Sequence, residues 1–334
     1  MMPYRILVRN LPLNVHRSGS RQASTVGFIG LGNMGSGMAA NLLQKGRQVL
    51  AFDVVPSALQ ALEKQGARAA TSPSEVARQC DKIVTMLPTN AHVEEVLTGS
   101  DGLMSAAKPG TLLIDCSTVD PDLSVRMSQE AAKRKLSFVD APVSGGVNAA
   151  KAGVLTFMVG GAKEDVSAAE DVLLQMGKTT IHCGPAGCGG AAKICNNMML
   201  AIAMIGYSET MHLGMRLGLD PKVLNEILNV SSGKTWVSDV YSPVPGVMSS
   251  VPSSNGYKGG FGSALMLKDL NLAQGAATRT QTATPFGGLA LQFYRMLCAQ
   301  GHGGKDFSFV YQLLSESGAT SDFNDTTHQK NASS

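Results

Sequence analysis

Short apolar runs alternate with amphipathic stretches along the first half of the chain. The apolar runs predict strands at residues 26–29, 48–52, 83–87, 112–114 and 138–141, with two more at 157–159 and 180–182. Between them, apolar positions spaced three or four residues apart predict helices at residues 35–45, 56–65, 91–97, 121–133 and 163–176. Alternation of this kind is typical of an α/β fold, so we expect a doubly wound parallel sheet.

The pattern changes after residue 184, where strand signals fade and helical ones dominate. Helices are predicted at residues 187–217, 221–230, 265–278, 289–300 and 307–316. We therefore expect an α/β domain at residues 25–187, then an all-α C-terminal domain at 188–316, joined by a long interdomain helix, and a flexible tail at 317–334. Residues 231–262 are rich in Ser, Gly and Pro and hold the only tryptophan, Trp236. A loop of that length is usually functional or disordered.

The long predicted helix carries one charged residue, Lys193, between Lys178 and Glu209. An ammonium group is costly to bury, which makes its position on an apolar helix unusual. Asn197 follows four residues later and lies on the same helical face. The pair could form a functional site, or Lys193 could reach solvent from a partly exposed first turn. The helix alone does not decide between these two interpretations.

A glycine-rich turn joins the first predicted strand to the first predicted helix. Its residues are Gly30, Leu31, Gly32, Asn33, Met34 and Gly35, which match the pattern G-x-G-x-x-G. The first glycine allows a tight turn, the second lets the backbone approach a pyrophosphate, and the third lets helix and strand pack closely. Free N–H groups at the helix N-terminus then face the phosphates. In this context the motif predicts a Rossmann-type dinucleotide site.

Asp53 closes the second predicted strand and bears on which dinucleotide binds. A carboxylate there can accept hydrogen bonds from the ribose hydroxyls of NAD and would repel the 2′-phosphate of NADP. Val54 and Val55 offer no cation in its place. We therefore predict NAD, although Asp53 could also cap the helix that begins at Pro56.

Three further loops follow predicted strands and should lie at the same edge of the sheet, where α/β folds bind ligands. They hold Leu87 and Pro88, Ser117 and Thr118, and Ser144, Gly145 and Gly146. Small residues before a helix expose successive backbone N–H groups, so the last of these loops predicts an anion nest for a substrate carboxylate. Such residues are also common in ordinary turns. Three loops at one ligand-binding edge favour the binding role.

The charge distribution argues against a nucleic-acid-binding protein. The net charge of +3 depends on residues 1–24, which hold four arginines and no acid. The rest of the chain has 24 Lys and Arg against 25 Asp and Glu, which is not the balance of a basic binder. An arginine-rich N-terminus without acidic residues is typical of a mitochondrial transit peptide. We therefore expect the protein to be located in the mitochondrial matrix. A tail without function is the alternative.

Neither a membrane span nor a metal site is expected. No apolar run reaches the ~20 residues that a membrane span needs. The six cysteines form no C-x-x-C pair and no zinc-type spacing with histidine. We expect them to be reduced, small apolar side chains.

Taken together, these motifs resemble the β-hydroxyacid dehydrogenase family over residues 26–314. Residues 30–35 resemble the family's cofactor loop, 140–146 (DAPVSGG) its substrate-binding signature, 189–197 its catalytic motif and 268–273 (KDLNLA) a second cofactor motif. Three segments of the 231–262 loop resemble the members that act in valine breakdown. The resemblance implies NAD-dependent oxidation of a small β-hydroxy acid by a homodimer or homotetramer assembled through the helical domain.

The resemblance also implies a role for each matching residue. Lys193 would be the catalytic acid/base, Asn197 would hold the substrate, and Ser144, Gly145 and Gly146 would bind its carboxylate. The NAD site would be lined by Leu87, Pro88, Thr118 and Lys268. His92 stands where relatives commonly carry Asn near the cofactor, and either side chain can donate a hydrogen bond.

Three alternatives stay open on the sequence. A related β-hydroxyacid dehydrogenase or semialdehyde reductase would share the motifs. A non-catalytic NAD-binding protein would share the fold, although proteins of that kind lose the lysine found here at Lys193. A 6-phosphogluconate-type enzyme would need extra cations for a phosphate, and the neighbours of Trp236 offer few.

Overall fold

The computed structural model describes residues 25–316, so the predicted transit peptide and tail lie outside the described residues. A nine-stranded sheet fills the first half of the described chain. Its strands are β1 (Val26–Ile29), β2 (Val49–Phe52), β3 (Arg68–Ala69), β4 (Lys82–Thr85), β5 (Leu112–Asp115), β6 (Ser137–Asp140), β7 (Val143–Ser144), β8 (Leu155–Gly160) and β9 (Gly177–Gly184).

Eight helices connect these strands and cover both faces of the sheet. They are α1 (Gly35–Gln44), α2 (Pro56–Glu63), α3 (Pro73–Gln79), α4 (Asn90–Thr98), α5 (Leu103–Ala106), α6 (Pro121–Lys133), α7 (Gly146–Ala152) and α8 (Lys163–Met176). Alternate side chains of β1 enter different cores: Val26 and Phe28 pack with α1, whereas Ile29 packs with α3 and α4. Burial on both faces explains the unbroken apolar runs of the sequence.

The strand order confirms the predicted doubly wound sheet. It runs β3-β2-β1-β4-β5-β6-β8-β7, with β9 beside β8. The strands from β3 to β6 in that order are all parallel. The winding direction reverses between β1 and β4, which is the switch point where such sheets bind ligands.

One edge of the sheet departs from the predicted parallel arrangement. β8 pairs antiparallel with β6 and with β7, a strand that the sequence did not predict. A short buried apolar run has the same pattern in either direction, so the sequence carried no signal for the reversal. Because β6 and β7 both run opposite to β8, residues 140–144 continue in the direction of β6, and β8 is the strand that turns back.

The rest of the described chain is helical. Its helices are α9 (Cys188–Arg216), α10 (Pro221–Val230), α11 (Trp236–Val240), α12 (Ser263–Arg279), α13 (Pro285–Ala299) and α14 (Val310–Glu316), with 3₁₀ turns at Pro252–Asn255 and Phe307–Phe309. Helices α12 and α13 begin earlier than the predicted residues 265 and 289. Residues 231–262 are not a plain loop, because they contain α11 and the first 3₁₀ turn.

Helix α9 is the centre of this helical region. Its 29 residues span about 43 Å, and its buried face packs against α12, α13 and α14. By length and composition it is the one helix within residues 25–316 that could cross a membrane, although a buried core helix passes the same test. Its first turns pack against β8, so the helix joins the sheet to the helical region.

Candidate active site

The glycine-rich turn after β1 has the shape that a dinucleotide phosphate requires. Gly30 has a φ of +94°, and a Cβ there would collide with the carbonyl oxygen of Met86. Apart from its two chain neighbours, no described residue has an atom within 4 Å of the position that a Cβ would take at Gly32. No side chain among the described residues caps the first turn of α1, where the N–H of Ser36 donates to the carbonyl oxygen of Gly32. The helix N-terminus is therefore open to an anion on its side-chain side. The turn therefore fits a pyrophosphate.

Asp53 holds this turn and the next helix together. Its Oδ2 accepts a hydrogen bond of 2.6 Å from the N–H of Leu31, and its Oδ1 accepts one of 2.7 Å from the N–H of Val55. Val55 is the N-terminal cap residue of α2, and among the described residues no side chain caps that helix, so the alternative role of Asp53 as its cap is wrong. Binding of a ribose hydroxyl by Asp53 stays a prediction. The carboxylate lies beside the turn and keeps further lone pairs for a ribose hydroxyl.

Ser117 joins two of the loops at the ligand-binding edge of the sheet. Its Oγ accepts a 2.9 Å hydrogen bond from the N–H of Leu87, next to Pro88, and donates a 2.6 Å bond to Oδ1 of Asp115. Oδ1 of Asp115 also accepts from Oγ1 of Thr85, at 2.7 Å. Burial raises the pKa of Asp115, and the hydroxyl donors of Ser117 and Thr85 oppose that rise. Through Ser117, the carboxyl group of Asp115 thus fixes the position of residues 87 and 88.

Lys193 belongs to a buried polar cluster that connects the helical region to the sheet. Only 9% of its surface is exposed, and its Nζ donates a 3.1 Å hydrogen bond to Oδ1 of Asn197. Nδ2 of Asn197 donates a 2.5 Å bond to Oδ2 of Asp269. Nζ of Lys268 lies 3.1 Å from Oδ1 of Asp269 and donates to the carbonyl oxygen of Thr118 at 2.5 Å. The interpretation that Lys193 reaches solvent is therefore wrong.

The surroundings of Lys193 favour the neutral amine. Burial away from water lowers the pKa of Lys193 most strongly. The carboxylate of Asp269 opposes this effect, and the nearby cation of Lys268 lowers the same pKa further. A lysine with a lowered pKa can act as a base nearer to neutral pH than an ordinary lysine.

The predicted anion nest lies where β7 passes into α7. Gly145 and Gly146 have φ values of +136° and +70°, which favour glycine at both positions. A Cβ at Gly145 would lie 2.5 Å from that of Ala149, whereas the space around Gly146 is open. Ser144 pairs with Thr156 of β8. Among the described residues, no hydrogen bond joins this nest directly to Lys193.

The two remaining cofactor positions lie on helices, His92 on α4 and Lys268 on α12. His92 is exposed in the first turn of α4, with its Nδ1 2.7 Å from Oγ1 of Thr89. A cavity of about 510 Å³ lies between this turn and α12, with Lys268, Asn90 and Asp120 in its wall. Of the positions predicted for cofactor contacts, Lys268 lies in the wall of this cavity, next to the turn that precedes His92.

Sequence reasoning did not assign roles to two buried carboxylates of this region, Asp140 and Asp269. Asp140 ends β6 and accepts hydrogen bonds from the start of α9, and Asp269 anchors Asn197. A signal for Asp140 was present, because Asp53, Asp115 and Asp140 each end or follow a strand. An acidic residue at the end of a strand therefore recurs at the ligand-binding edge of the sheet.

Comparisons with known proteins agree with this geometry. The family model described as the NAD binding domain of 6-phosphogluconate dehydrogenase matches residues 25–184, and the model described as NAD-binding of NADP-dependent 3-hydroxyisobutyrate dehydrogenase matches residues 187–314. Mitochondrial 3-hydroxyisobutyrate dehydrogenase of Mus musculus is 53% identical over 291 residues, which are 87% of each chain.

Two further relatives bear on the substrate. NAD-dependent L-serine dehydrogenase of Pseudomonas aeruginosa is 47% identical over 86% of this chain and 97% of its own. A solved structure of Mycobacterium tuberculosis 3-hydroxyisobutyrate dehydrogenase with L-serine is 39% identical, with a TM-score of 0.84 over 88% of this chain and 99% of its own. With the dinucleotide turn and the buried lysine in place, the chain belongs to the 3-hydroxyisobutyrate dehydrogenase family.

Proposed function

We propose that this chain oxidises (S)-3-hydroxyisobutyrate to methylmalonate semialdehyde with NAD, a step of valine catabolism. One observation carries the proposal: Lys193 is buried and hydrogen-bonded to Asn197 where the helical region meets the dinucleotide edge of the sheet. The names of the relatives that share this site support the choice of substrate.

In the proposed reaction Lys193 is the general base. Its neutral amine accepts the proton of the substrate hydroxyl while the alcohol carbon is oxidised. Burial favours the neutral form, because it lowers the pKa of Lys193. In the reverse direction the ammonium returns the proton to the alkoxide oxygen.

Asn197 and the nest orient the substrate. The amide of Asn197 is fixed from two sides, since its Oδ1 accepts from Lys193 and its Nδ2 donates to Asp269. We propose that the N–H groups of Ser144, Gly145 and Gly146 bind the substrate carboxylate. Two fixed points of contact set the position of the hydroxyl relative to Nζ of Lys193.

The cofactor fits the edge of the sheet between these groups and Asp53. NAD, when bound, supplies the acceptor for the hydride that the substrate carbon loses. We propose that the chain holds it through Gly30, Leu31, Gly32, Asn33, Met34, Gly35, Asp53, Leu87, Pro88, His92, Thr118 and Lys268.

Replacing Asp53 by asparagine should raise the KM for NAD by about tenfold and reduce the preference for NAD over NADP. The amide keeps the size of the side chain, but it loses a charged acceptor and no longer repels a 2′-phosphate. Measuring kcat/KM with both cofactors at one substrate concentration tests this. Glu63→Gln, an exposed change on α2, is the matched control. An unchanged cofactor ratio in Asp53→Asn would contradict the assignment.

L-serine is the second candidate substrate, because two relatives are named with it. Serine carries an ammonium group where 3-hydroxyisobutyrate carries a methyl group. A site for serine would need a free acceptor for that ammonium. Asp269, the carboxylate of the Lys193 cluster, is already paired with Lys268 and Asn197. The cluster therefore favours the methyl group.

Initial rates of NAD reduction with (S)-3-hydroxyisobutyrate, L-serine and glycerate test the choice. We expect kcat/KM for 3-hydroxyisobutyrate to exceed that for L-serine by at least about tenfold. A higher value for L-serine would overturn the substrate. Absence of turnover with all three would favour a non-catalytic NAD-binding protein.

We also propose that the chain forms a homodimer or homotetramer through its helical region. Apolar side chains are exposed along α10 and the end of α9, among them Val223, Ile227, Val230 and Leu213. Val223, Ile227 and Val230 recur at helical spacing along α10, and an exposed apolar helix face is typical of interfaces. Light scattering gives the mass in solution, and a monomer would contradict the proposal.

The mitochondrial matrix is the proposed location. Relatives such as the Mus musculus enzyme are named mitochondrial, and residues 1–24 have the composition of a transit peptide. Import assays with isolated mitochondria should show uptake of the full chain and none of a chain that lacks residues 1–24. Uptake of both would contradict the role of this segment.

A further inference from the structure

Asp140 is a buried carboxylate between the sheet and the helix that carries Lys193. It ends β6 and is only 1% exposed. Its Oδ1 accepts a 2.7 Å hydrogen bond from the N–H of Gly187, and its Oδ2 accepts a 2.8 Å bond from the N–H of Gly190. Both donors belong to the start of α9, where N–H groups have no partner within the helix. Hydrogen bonds to a charged acceptor are about twice as strong as neutral ones.

The chain leaves space for this contact by placing glycine around it. A Cβ at Gly160, the residue that pairs with Asp140 across the sheet, would lie 2.5 Å from Oδ1 of Asp140 and 2.8 Å from the nitrogen of Gly189. Any side chain at Gly160 would therefore push the carboxylate and the helix apart. The distance between β6 and α9 is thus set by close contact as well as by hydrogen bonds.

Asp140 also begins the segment that leads to the anion nest. The chain runs from Asp140 through β7 to Ser144, and both residues pair with β8, Asp140 with Gly160 and Ser144 with Thr156. Lys193 follows Gly190 within one turn of α9. The nest is therefore fixed to Asp140 along the sheet, and Lys193 is fixed to the same residue through the helix start.

We propose that Asp140 is a positioning residue that sets the distance between the substrate nest and Lys193. The proposal rests on the proposed function, because it assumes that the nest binds the substrate and that Lys193 is the base. Asp140 acts through the backbone of α9 and touches neither reactant. It should therefore govern turnover and substrate binding while leaving the cofactor site intact.

Asp115 provides a matched comparison on the neighbouring strand. It pairs with Asp140 across β5 and β6, and it is equally buried. Its hydrogen bonds, however, go to Thr85 and Ser117, which hold the cofactor wall at Leu87. The same substitution at the two positions should therefore disturb different sides of the site.

The test compares Asp140→Asn with Asp115→Asn in the full chain. For Asp140→Asn we expect kcat to fall by about tenfold and the KM for (S)-3-hydroxyisobutyrate to rise, because a small displacement of a catalytic group is costly. Its Kd for NADH, measured by cofactor fluorescence, should stay within about twofold of wild type. Asp115→Asn should instead weaken NADH binding by about tenfold.

A second variant reaches the same contact without removing the charge. Gly160→Ala should reproduce the pattern of Asp140→Asn, since its methyl group displaces the carboxylate. Wild-type kcat in Asp140→Asn, or NADH binding lost in proportion to kcat, would overturn the positioning role. Loss of the fold in both variants, seen by circular dichroism, would overturn it too. A wild-type chain that does not oxidise 3-hydroxyisobutyrate would refute the proposed function instead.

Discussion

Replacing Lys193 by alanine should lower kcat for the oxidation of (S)-3-hydroxyisobutyrate by about a thousandfold, which is the usual contribution of a general base. The reason is that Lys193 is the buried amine of the cluster and its pKa is lowered towards the neutral form. The Kd for NADH should hardly change, because the glycine turn and Asp53, which are proposed to bind the cofactor, do not contact Lys193. Steady-state kinetics and a fluorescence titration measure the two quantities.

Lys193→Arg separates the role of the base from that of the positive charge. A guanidinium keeps the charge but does not release its proton at accessible pH. It should therefore be about as inactive as the alanine variant. An arginine variant with substantial turnover would mean that the side chain acts through its charge and not as a base.

Replacing Asp269 by asparagine should have the second-largest effect, a fall in kcat of about a hundredfold. Asp269 accepts from Asn197 with one oxygen and lies against Lys268 with the other. An amide has one acceptor oxygen, so it cannot satisfy both neighbours. Asn197 would lose its fixed orientation, and the substrate would lose its alignment with Lys193.

The same substitution should move the pH dependence to lower pH. The carboxylate of Asp269 raises the pKa of Lys193, and the cation of Lys268 lowers it. Removing the carboxylate takes away the first effect and leaves the second unopposed, so the pKa of Lys193 falls further. The rate of oxidation, which rises as Lys193 loses its proton, should therefore reach its plateau at lower pH.

Asp171→Asn is the matched control for this change. Asp171 is half exposed on α8 and pairs with Arg47 and Lys82, far along the chain from the cluster. It should leave both kcat and the pH profile unchanged, because exposed ion pairs contribute little. A shift of the Asp269→Asn profile to higher pH would contradict the electrostatic account of Lys193.

Much of the fold was predictable because its signals are local. Patterns within a single element predict the apolar strands and the turn at residues 30–35. They also predict three helices with the correct bounds: Pro121–Lys133, Lys163–Met176 and Pro221–Val230. Helix α3 was missed although Ser72 caps it by accepting from the N–H of Glu75, a signature that precedes Pro73 in the sequence. Strand β3 is two exposed residues long, too short for any periodic pattern.

The parts of the site that could not be predicted depend on distant contacts. Asp140 meets Gly187 across 47 residues, and Asn197 meets Asp269 across 72. No local pattern specifies such a pair from one sequence. The isolation of Lys193 was visible, whereas its burial and its partner network required the packing of α9 against α12 and the sheet.

The pH dependence of NADH formation from (S)-3-hydroxyisobutyrate, measured at saturating NAD from about pH 6 to about pH 10, tests the central claim most directly. The wild-type rate should rise with pH along a limb centred below the ordinary pKa of lysine, and Lys193→Ala should be slower and lack that limb. A variant that keeps both the limb and the wild-type rate would contradict the assignment of Lys193 as the base.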